Sequence, residues 1–403
     1  MKIIIFTENN RRGGVDTFIA SLINHWPIKE DKFIIISNKS YPGLQYISES
    51  LKDECDIITH DIPLNWSFLS SYIRYLPNLL QRIFRQLFRI ILSPFQYYAL
   101  KKLLCTADGD YLISVNGGYP GGETCRLATI AWASMGMPPS IHNFHNLAAG
   151  PRKIFTPYES YIDKQLEESA KQIITVSKYC LESLFIRPVF KKSSKLSFIY
   201  NGLPKLDNSE HDSGKLRTKL NITQDEKLIL MIGTYEKRKG HEFLMQSMTS
   251  VFKKYPQLHL VIIGTGTNNE KSNIKSIINR HGSGKNIHLM GFVDNAASMI
   301  KEADLLVIPS QADESFGLTA VEAMLSCVPV VSTNIGALPE TLGENGNCGF
   351  YSPPNRPDLF SENIICLIDN HEKSKELGLN GKKRAHKYYD PKLMADNYSK
   401  ILR

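Results

Sequence analysis

Short apolar runs rich in β-branched residues recur along the chain, separated by segments in which apolar positions return at helical spacing. KIIIF, FIIIS, CDIITH, DYLISV, QIITVS and LSFIY stand in the first half, and LILMIG, LHLVIIG, NIHLMG, DLLVIPS and VPVVST in the second. A strand that is apolar throughout, rather than alternately, is buried on both faces. This predicts parallel sheets sandwiched between helices. Two such series predict an α/β protein of two doubly wound, Rossmann-like domains. The turn Asn201-Gly202-Leu203-Pro204, followed by polar residues as far as Asp225, divides them into 1–202 and 203–385, and a C-terminal helix at about 386–403 is expected to return to the first domain. Open parallel sheets bind ligands beyond the carboxyl ends of their strands. The expected active site is therefore a central cleft faced by both domains.

Composition agrees with this division. The 403 residues exceed one ordinary core, and 42% hydrophobic with 22% charged residues describe a folded, soluble chain. The N-terminal MKIIIFT meets polar Glu8-Asn9-Asn10-Arg11-Arg12 too soon for a signal peptide, and no apolar run reaches the ~18 residues a bilayer-spanning helix needs. Seven cysteines show neither CxxC pairing nor regular spacing and are read as reduced, in a cytoplasmic protein. The sequons at Asn65, Asn221 and Asn397 then carry no meaning.

The formal charge of +8 is unevenly spread: between Asp61 and Asp108 there is no carboxylate, against Arg74, Arg82, Arg85, Arg89, Lys101 and Lys102. Within this stretch NLLQRIFRQLFRIIL has helical order, with Leu80, Ile83, Phe84, Leu87 and Ile91 on one side and Arg82, Arg85 and Arg89 opposite. Such a helix either lies on an anionic membrane surface or docks on the core with a solvated arginine face. Both readings bury its apolar side. The flanking Trp66, Phe68, Tyr72, Tyr75, Phe95, Tyr97 and Tyr98 favour the membrane for residues 72–102. No nucleic-acid-binding motif accompanies the charge, so no nucleic-acid partner is expected.

The chemistry concentrates in IPSQADESFGLTAVEAMLS. DLLVIPS reads as a strand, QADESFG as the loop leaving its carboxyl end, and LTAVEAMLS as the helix that follows. Glu314 therefore stands in a ligand-facing loop, and Glu322 one to two turns into the helix. A carboxylate suits a vicinal diol, which sugars and ribose both present. The amides of Phe316, Gly317 and Leu318 at the helix start suit oxyanions. Hydroxyls and phosphates together suggest a nucleotide-sugar site. Lys239, after the first strand of the second domain, would neutralise a departing diphosphate. A surface lysine would look the same in sequence.

The spacing Glu314-x7-Glu322 in strand–loop–helix context resembles the family-4 retaining glycosyltransferases of GT-B fold (glycosyl transferases group 1). IGTYEKRKGHEFL, IIGTGTN, NIHLMGFV and STNIGALPE resemble the family's later landmarks in order; Arg12-Gly13-Gly14-Val15, ITVSKY and IYNGLP resemble its first-domain segments. The resemblance covers nearly the whole chain and is weakest between 40 and 130. It implies that Gly14, Gly233, Lys239 and Gly240 belong to the segments that meet the donor phosphates and Val293 to the base-binding strand, with Glu322 meeting the ribose and Glu314 the donor sugar. Thr234 stands where the family often has arginine, leaving Arg238 to supply a second charge. His145 matches the family's cleft histidine loosely, with His142 competing. The implied activity is transfer of a hexose-type sugar from a nucleotide-diphosphate sugar, UDP- before GDP-, to a hydroxyl acceptor with retained configuration. Neither metal nor other cofactor is implied. A basic, aromatic first domain points to a lipid-linked glycan acceptor in surface polysaccharide or lipopolysaccharide assembly, and to a peripheral position on the inner face of the plasma membrane.

Rival motifs are incomplete. GTGTNN lacks the third glycine of a dinucleotide fingerprint, GSGKN imitates a P-loop without its first glycine or final hydroxyl, and Asp108-Gly109-Asp110 precedes its strand and reads as a turn. Two other classes stay open: a non-catalytic homologue that binds sugar nucleotide or glycan, and, more remotely, a nucleotide-cofactor oxidoreductase.

Overall fold

The computed structural model describes residues 1–64, 73, 75–204, 215–281 and 286–403. Trp66, Phe68, Tyr72, Arg74, Asn65, the stretch 205–214 after the interdomain turn and residues 282–285 of GSGKN lie outside the described residues. The chain forms two compact units, Met1–Gly202 with Pro391–Arg403, and Leu203–Asp390.

The first unit carries strands β1 (Lys2–Glu8), β2 (Lys32–Asn38), β3 (Asp56–His60), β4 (Tyr111–Asn116), β5 (Ser140–Phe144), β6 (Ala170–Thr175) and β7 (Leu196–Phe198). They form one parallel sheet in the order β3-β2-β1-β4-β5-β6-β7. Its helices are α1 (Gly14–Asn24), α2 (Leu44–Ser50), α3 (Asn78–Thr106), α4 (Glu123–Ser134), α5 (Thr156–Ser169) and α6 (Lys178–Ser183). In the second unit β8 (Leu228–Ile232), β9 (His259–Ile263), β10 (Ile287–Met290), β11 (Leu305–Ile308), β12 (Val330–Thr333) and β13 (Gly349–Ser352) form a parallel sheet ordered β10-β9-β8-β11-β12-β13. The helices there are α7 (Lys215–Leu220), α8 (His241–Lys254), α9 (Asn268–Arg280), α10 (Leu318–Leu325), α11 (Leu338–Leu342), α12 (Pro357–Asp369) and α13 (His371–Tyr388).

Both sheets are buried on both faces, as the unbroken apolar runs require; Ile3, Ile4, Ile5 and Phe6 of β1 are all 0% exposed. In each unit the strand order reverses once, between β1 and β4 and between β8 and β11. That reversal leaves a crevice at the carboxyl edge where ligands bind in doubly wound sheets. The last helix, α14 (Pro391–Leu402), belongs to the first unit. Its Tyr398 hydroxyl accepts from Asn143 Nδ2 of β5 at 2.6 Å and its ring packs edge-on against Phe18 of α1. β5 escapes the apolar-run rule because SIHNF carries polar residues into the interior. His142 Nδ1 lies 2.8 Å from Thr129 Oγ1 of α4, so one of its ring nitrogens finds a partner in the interior.

The amphipathic pattern of α3 predicts a buried apolar side and a free arginine side; the structure reverses much of this. Leu80, Phe84, Leu87 and Ile91 are 41%, 46%, 44% and 68% exposed, whereas Arg89 is 6% exposed. Ile83 is half-buried, and Arg82 and Arg85 are exposed. The cause is electrostatic. Glu123 of α4 and Glu159 of α5 are buried beneath the helix, and Arg89 answers both, at 3.6 Å and 3.0 Å. Glu159 is also paired with Arg187 and Arg152, and Glu123 with Arg126, so Arg89 completes a buried ion-pair network, and its place there turns the opposite, apolar side of the helix outward. Farther along, Gln96 Nε2 donates to the Pro63 carbonyl at 2.6 Å, and Leu100 and Leu104 enter the core. Among the described residues no helix is long and apolar enough to cross a membrane.

Candidate functional site

In the second unit the loops after β8 and β11 meet at the sheet's reversal. The loop after β8 ends in a single 3-10 turn, Lys237–Lys239, followed by Gly240 at φ 76°. A side chain at 240 would lie 1.8 Å from the Pro309 carbonyl oxygen, so glycine lets the two loops touch. Gln311 N then donates to the Arg238 carbonyl at 2.7 Å. This contact sets Lys239 against Glu314: Nζ donates to both carboxylate oxygens, at 3.0 and 2.9 Å. Ser310 Oγ donates to Glu314 Oε2 at 2.7 Å. The other side of the loop is closed by Gly336 at φ 61°, where a Cβ would lie 2.0 Å from the Glu314 carbonyl oxygen, and by Ala337 N donating to that oxygen at 2.8 Å.

Helix α10 starts just beyond, with Gly317 at φ 85° as its N-cap. The amides of Leu318 and Thr319 in its first turn have no intrahelical acceptor to find. Phe316 is 2% exposed, its ring edge-on to Tyr389 at 5.4 Å, so its side chain belongs to the core and only its backbone faces the loop. Glu322 lies in α10 as expected, and its carboxyl differs from that of Glu314. Among the described residues no side chain or amide donates to it, and burial pushes its pKa up to about 7. Glu322 is half-buried, and a carboxyl in that position to which no described group donates suits a ligand that brings hydroxyl donors.

The remaining predicted residues of this unit are placed as follows. A Cβ added at Gly233 would make ordinary contact with the Lys239 side chain, its Cδ and Cγ both at 3.8 Å. Val293 is half-buried in the loop leaving β10. Arg238 is turned aside: Nε donates to Glu236 Oε2 at 2.6 Å and Nη1 to the Asp313 carbonyl at 3.1 Å, bracing the loop that carries Glu314. Gly240 belongs to the segment IGTYEKRKGHEFL already matched by resemblance, whereas Ser310 and Gly336 were not predicted. Ser310 closes the apolar run DLLVIPS, and a hydroxyl at a strand's carboxyl end was a usable signal. Gly336 declares itself only through the loop it lets approach.

In the first unit the loop after β1 leads to Gly14, the first residue of α1, with Gly13 as N-cap. Gly13 N donates to Asp16 Oδ2 at 3.1 Å, and Asp16 in turn accepts from the Tyr41 hydroxyl. Nothing lies within 4 Å of a Cβ added at Gly13, so open space borders the backbone there. His145 follows β5 at the same carboxyl edge, its ring 4.3 Å from Phe18 of α1, and burial lowers its pKa to about 3. His142, fully buried within β5, belongs to the interior, where burial first and Arg126 second lower its pKa to about 3. Of the two histidines, His145 is the one that reaches the edge.

Residues 212–384, most of the second unit, match the family model described as glycosyl transferases group 1. An uncharacterized glycosyltransferase of Methanocaldococcus jannaschii is 30% identical over 227 residues, 54% of this chain and 56% of its own length. A second one from that organism is 29% identical over 381 residues, 93% of this chain and 90% of its own. The O-antigen biosynthesis glycosyltransferase WclY of Escherichia coli is 27% identical over 45% of this chain and 54% of its own. The chain thus spans little more than half the length of the first and last of these relatives. Among solved structures, HepE of Anabaena in complex with UDP and glucose superimposes with a TM-score of 0.77 at 17% identity, covering 100% of this chain and 99% of its own. That likeness establishes the GT-B fold of two Rossmann-like units.

Proposed function

We propose that this chain, whose second unit matches the group 1 glycosyltransferases, is a family-4 retaining glycosyltransferase that takes a hexose from a UDP-sugar to a hydroxyl acceptor. The observation that carries the reading is the pairing of Lys239 with Glu314 in the loops at the reversal of one parallel sheet, with half-buried Glu322 in the helix that follows and no described group donating to it. Glu322 accepts the two ribose hydroxyls. The first-turn amides of α10 and Lys239 receive the diphosphate, Val293 borders the base, and Glu314 orients the sugar. HepE, with UDP and glucose bound, supports a uridine nucleotide for this fold. WclY supports an acceptor within surface polysaccharide, which we take to be a lipid-linked glycan.

The acceptor oxygen attacks the anomeric carbon on the face from which the diphosphate leaves. One C–O bond to phosphate breaks, one C–O bond to the acceptor forms, and the acceptor's proton passes to a phosphate oxygen. Lys239 stabilises the charge that gathers on the leaving group, and the protein contributes orientation rather than a nucleophile. No metal or cofactor enters this scheme. His145, neutral at physiological pH, serves as a hydrogen-bonding group at the carboxyl edge of the first unit. The basic α3 region supports a position at the cytoplasmic face of the membrane, within reach of a lipid-linked acceptor.

Thermal-shift titration against UDP-, GDP- and ADP-sugars tests the donor assignment, since a ligand of the folded state alone raises Tm. A rise with UDP-sugars and transfer to a glycan acceptor are expected. A protein that binds nucleotide-sugar but neither hydrolyses nor transfers it would instead be a binding homologue.

A further inference from the structure

We infer that α3 is a membrane-inserting helix whose contact surface is its apolar stripe, not its arginines. This rests on the peripheral-membrane part of the proposed function and assigns it a surface. Leu80, Phe84, Leu87, Ile91, Phe95 and Tyr98 recur at intervals of three and four residues, and all lie on one side of the helix. They are between 41% and 70% exposed. At 1.5 Å per residue the stripe is about 27 Å long.

The opposite side holds the helix to the protein. Arg89, Ser93, Gln96, Leu100 and Leu104 are its buried residues, and Arg89 is tied to Glu123 and Glu159. The helix is thus docked largely by its polar face, and this docking commits the apolar face outward. An amphipathic helix that turned its apolar side inward would say nothing about a partner; this one needs a partner to cover it.

Charge selects the partner. No Asp or Glu occurs anywhere in α3, while Arg82, Arg85 and Lys102 are exposed along it. Arg152 Nη1 donates to Gln86 Oε1 at 2.8 Å, bringing exposed Lys153 and Ile154, the latter 80% exposed, beside the helix. A second copy of α3 laid against the first would set cations against cations with no carboxylate on either helix to answer them. An anionic lipid surface accepts both parts, the stripe at the acyl boundary and the cations among the headgroups.

The test compares wild type with Phe84→Gln/Ile91→Gln in flotation with phosphatidylcholine vesicles containing phosphatidylglycerol. Both side chains are exposed, so the double variant should keep its Tm and its UDP-sugar affinity while vesicle affinity falls about tenfold or more. A Phe84→Trp variant should show blue-shifted emission with these vesicles, because insertion removes the indole from water. If wild type binds vesicles and the double variant binds equally well, the stripe is not the contact surface, although peripheral attachment would survive. If wild type ignores anionic vesicles at low salt, both fall. If it is dimeric by sedimentation velocity and Phe84→Gln/Ile91→Gln makes it monomeric, a second copy covers the stripe and the inference is overturned. UDP-sugar binding is measured separately, so failure of the donor assignment leaves the vesicle result intact.

Discussion

Lys239 Nζ donates to both carboxylate oxygens of Glu314, at 3.0 and 2.9 Å, across 75 residues of sequence. In the unliganded protein the cation proposed for the diphosphate is therefore held by the carboxylate proposed for the sugar. On that proposal the donor opens this pair, and each group then meets its own part of the ligand.

Glu314→Ala should consequently leave UDP affinity unchanged or higher, because the diphosphate no longer competes for Lys239. Transfer should fall by about a hundredfold as sugar orientation is lost. Isothermal titration with UDP and steady-state assay with UDP-sugar measure the two effects. A large loss of UDP affinity in this variant would contradict the assignment.

Lys239→Ala should lower kcat more than it weakens UDP-sugar binding, since its charge is most valuable as the diphosphate departs. An unchanged kcat would reduce Lys239 to a brace for the Glu314 loop.

Glu322 predicts a pH dependence. Its pKa of about 7 in the free protein means that it is half-protonated at neutral pH. Ribose hydroxyls donate to the ionised form, so binding lowers this pKa and expels a proton. UDP-sugar affinity should be full above pH 7 and fall by up to about tenfold per unit as pH drops below it. Glu322→Gln should flatten this profile, and Glu322→Ala should remove two charge-assisted bonds worth about 1.5–3 kcal/mol each. A UDP-sugar is the right probe because its diphosphate is esterified at both ends and has no proton of its own to lose in this range. A flat wild-type profile would rule out Glu322 as the ribose ligand.

The docking of α3 predicts unequal arginines. Arg89→Ala removes one cation from a buried network in which Glu159 keeps Arg187 and Arg152 and Glu123 keeps Arg126, and should cost about 1.5–3 kcal/mol in chemical denaturation. Arg82→Ala and Arg85→Ala, on exposed positions, should each stay within about 0.5 kcal/mol. Equal small effects at all three positions would mean that the helix does not dock through Arg89.

Gly240→Ala would force a side chain into positive φ and against the Pro309 carbonyl. A loss of about 1–3 kcal/mol is expected, together with weaker UDP-sugar binding as Lys239 leaves Glu314. A melting temperature equal to wild type would show that the two loops need not touch.

What the sequence determined by itself is local. Unbroken apolar runs are inseparable from burial on both faces, so KIIIF or LILMIG announces a parallel strand whatever surrounds it. A loop that leaves such a strand stands at the ligand edge, so Glu314, Lys239 and the glycine loop at Gly13-Gly14 were legible as candidates. β5 was legible only at its end, because its interior polar residues find partners on α4 and α14 that no local pattern reveals. Tertiary structure alone decided which groups meet: Lys239 with Glu314, Arg89 with Glu123 and Glu159, His142 with Thr129 in the interior while His145 reached the edge. Periodicity identifies two sides of a helix but not the medium each side faces. In α3 the buried ion-pair network of α4 and α5 took in Arg89 and so turned the apolar stripe outward, because charge-assisted pairing across helices is a tertiary contact that periodicity does not encode.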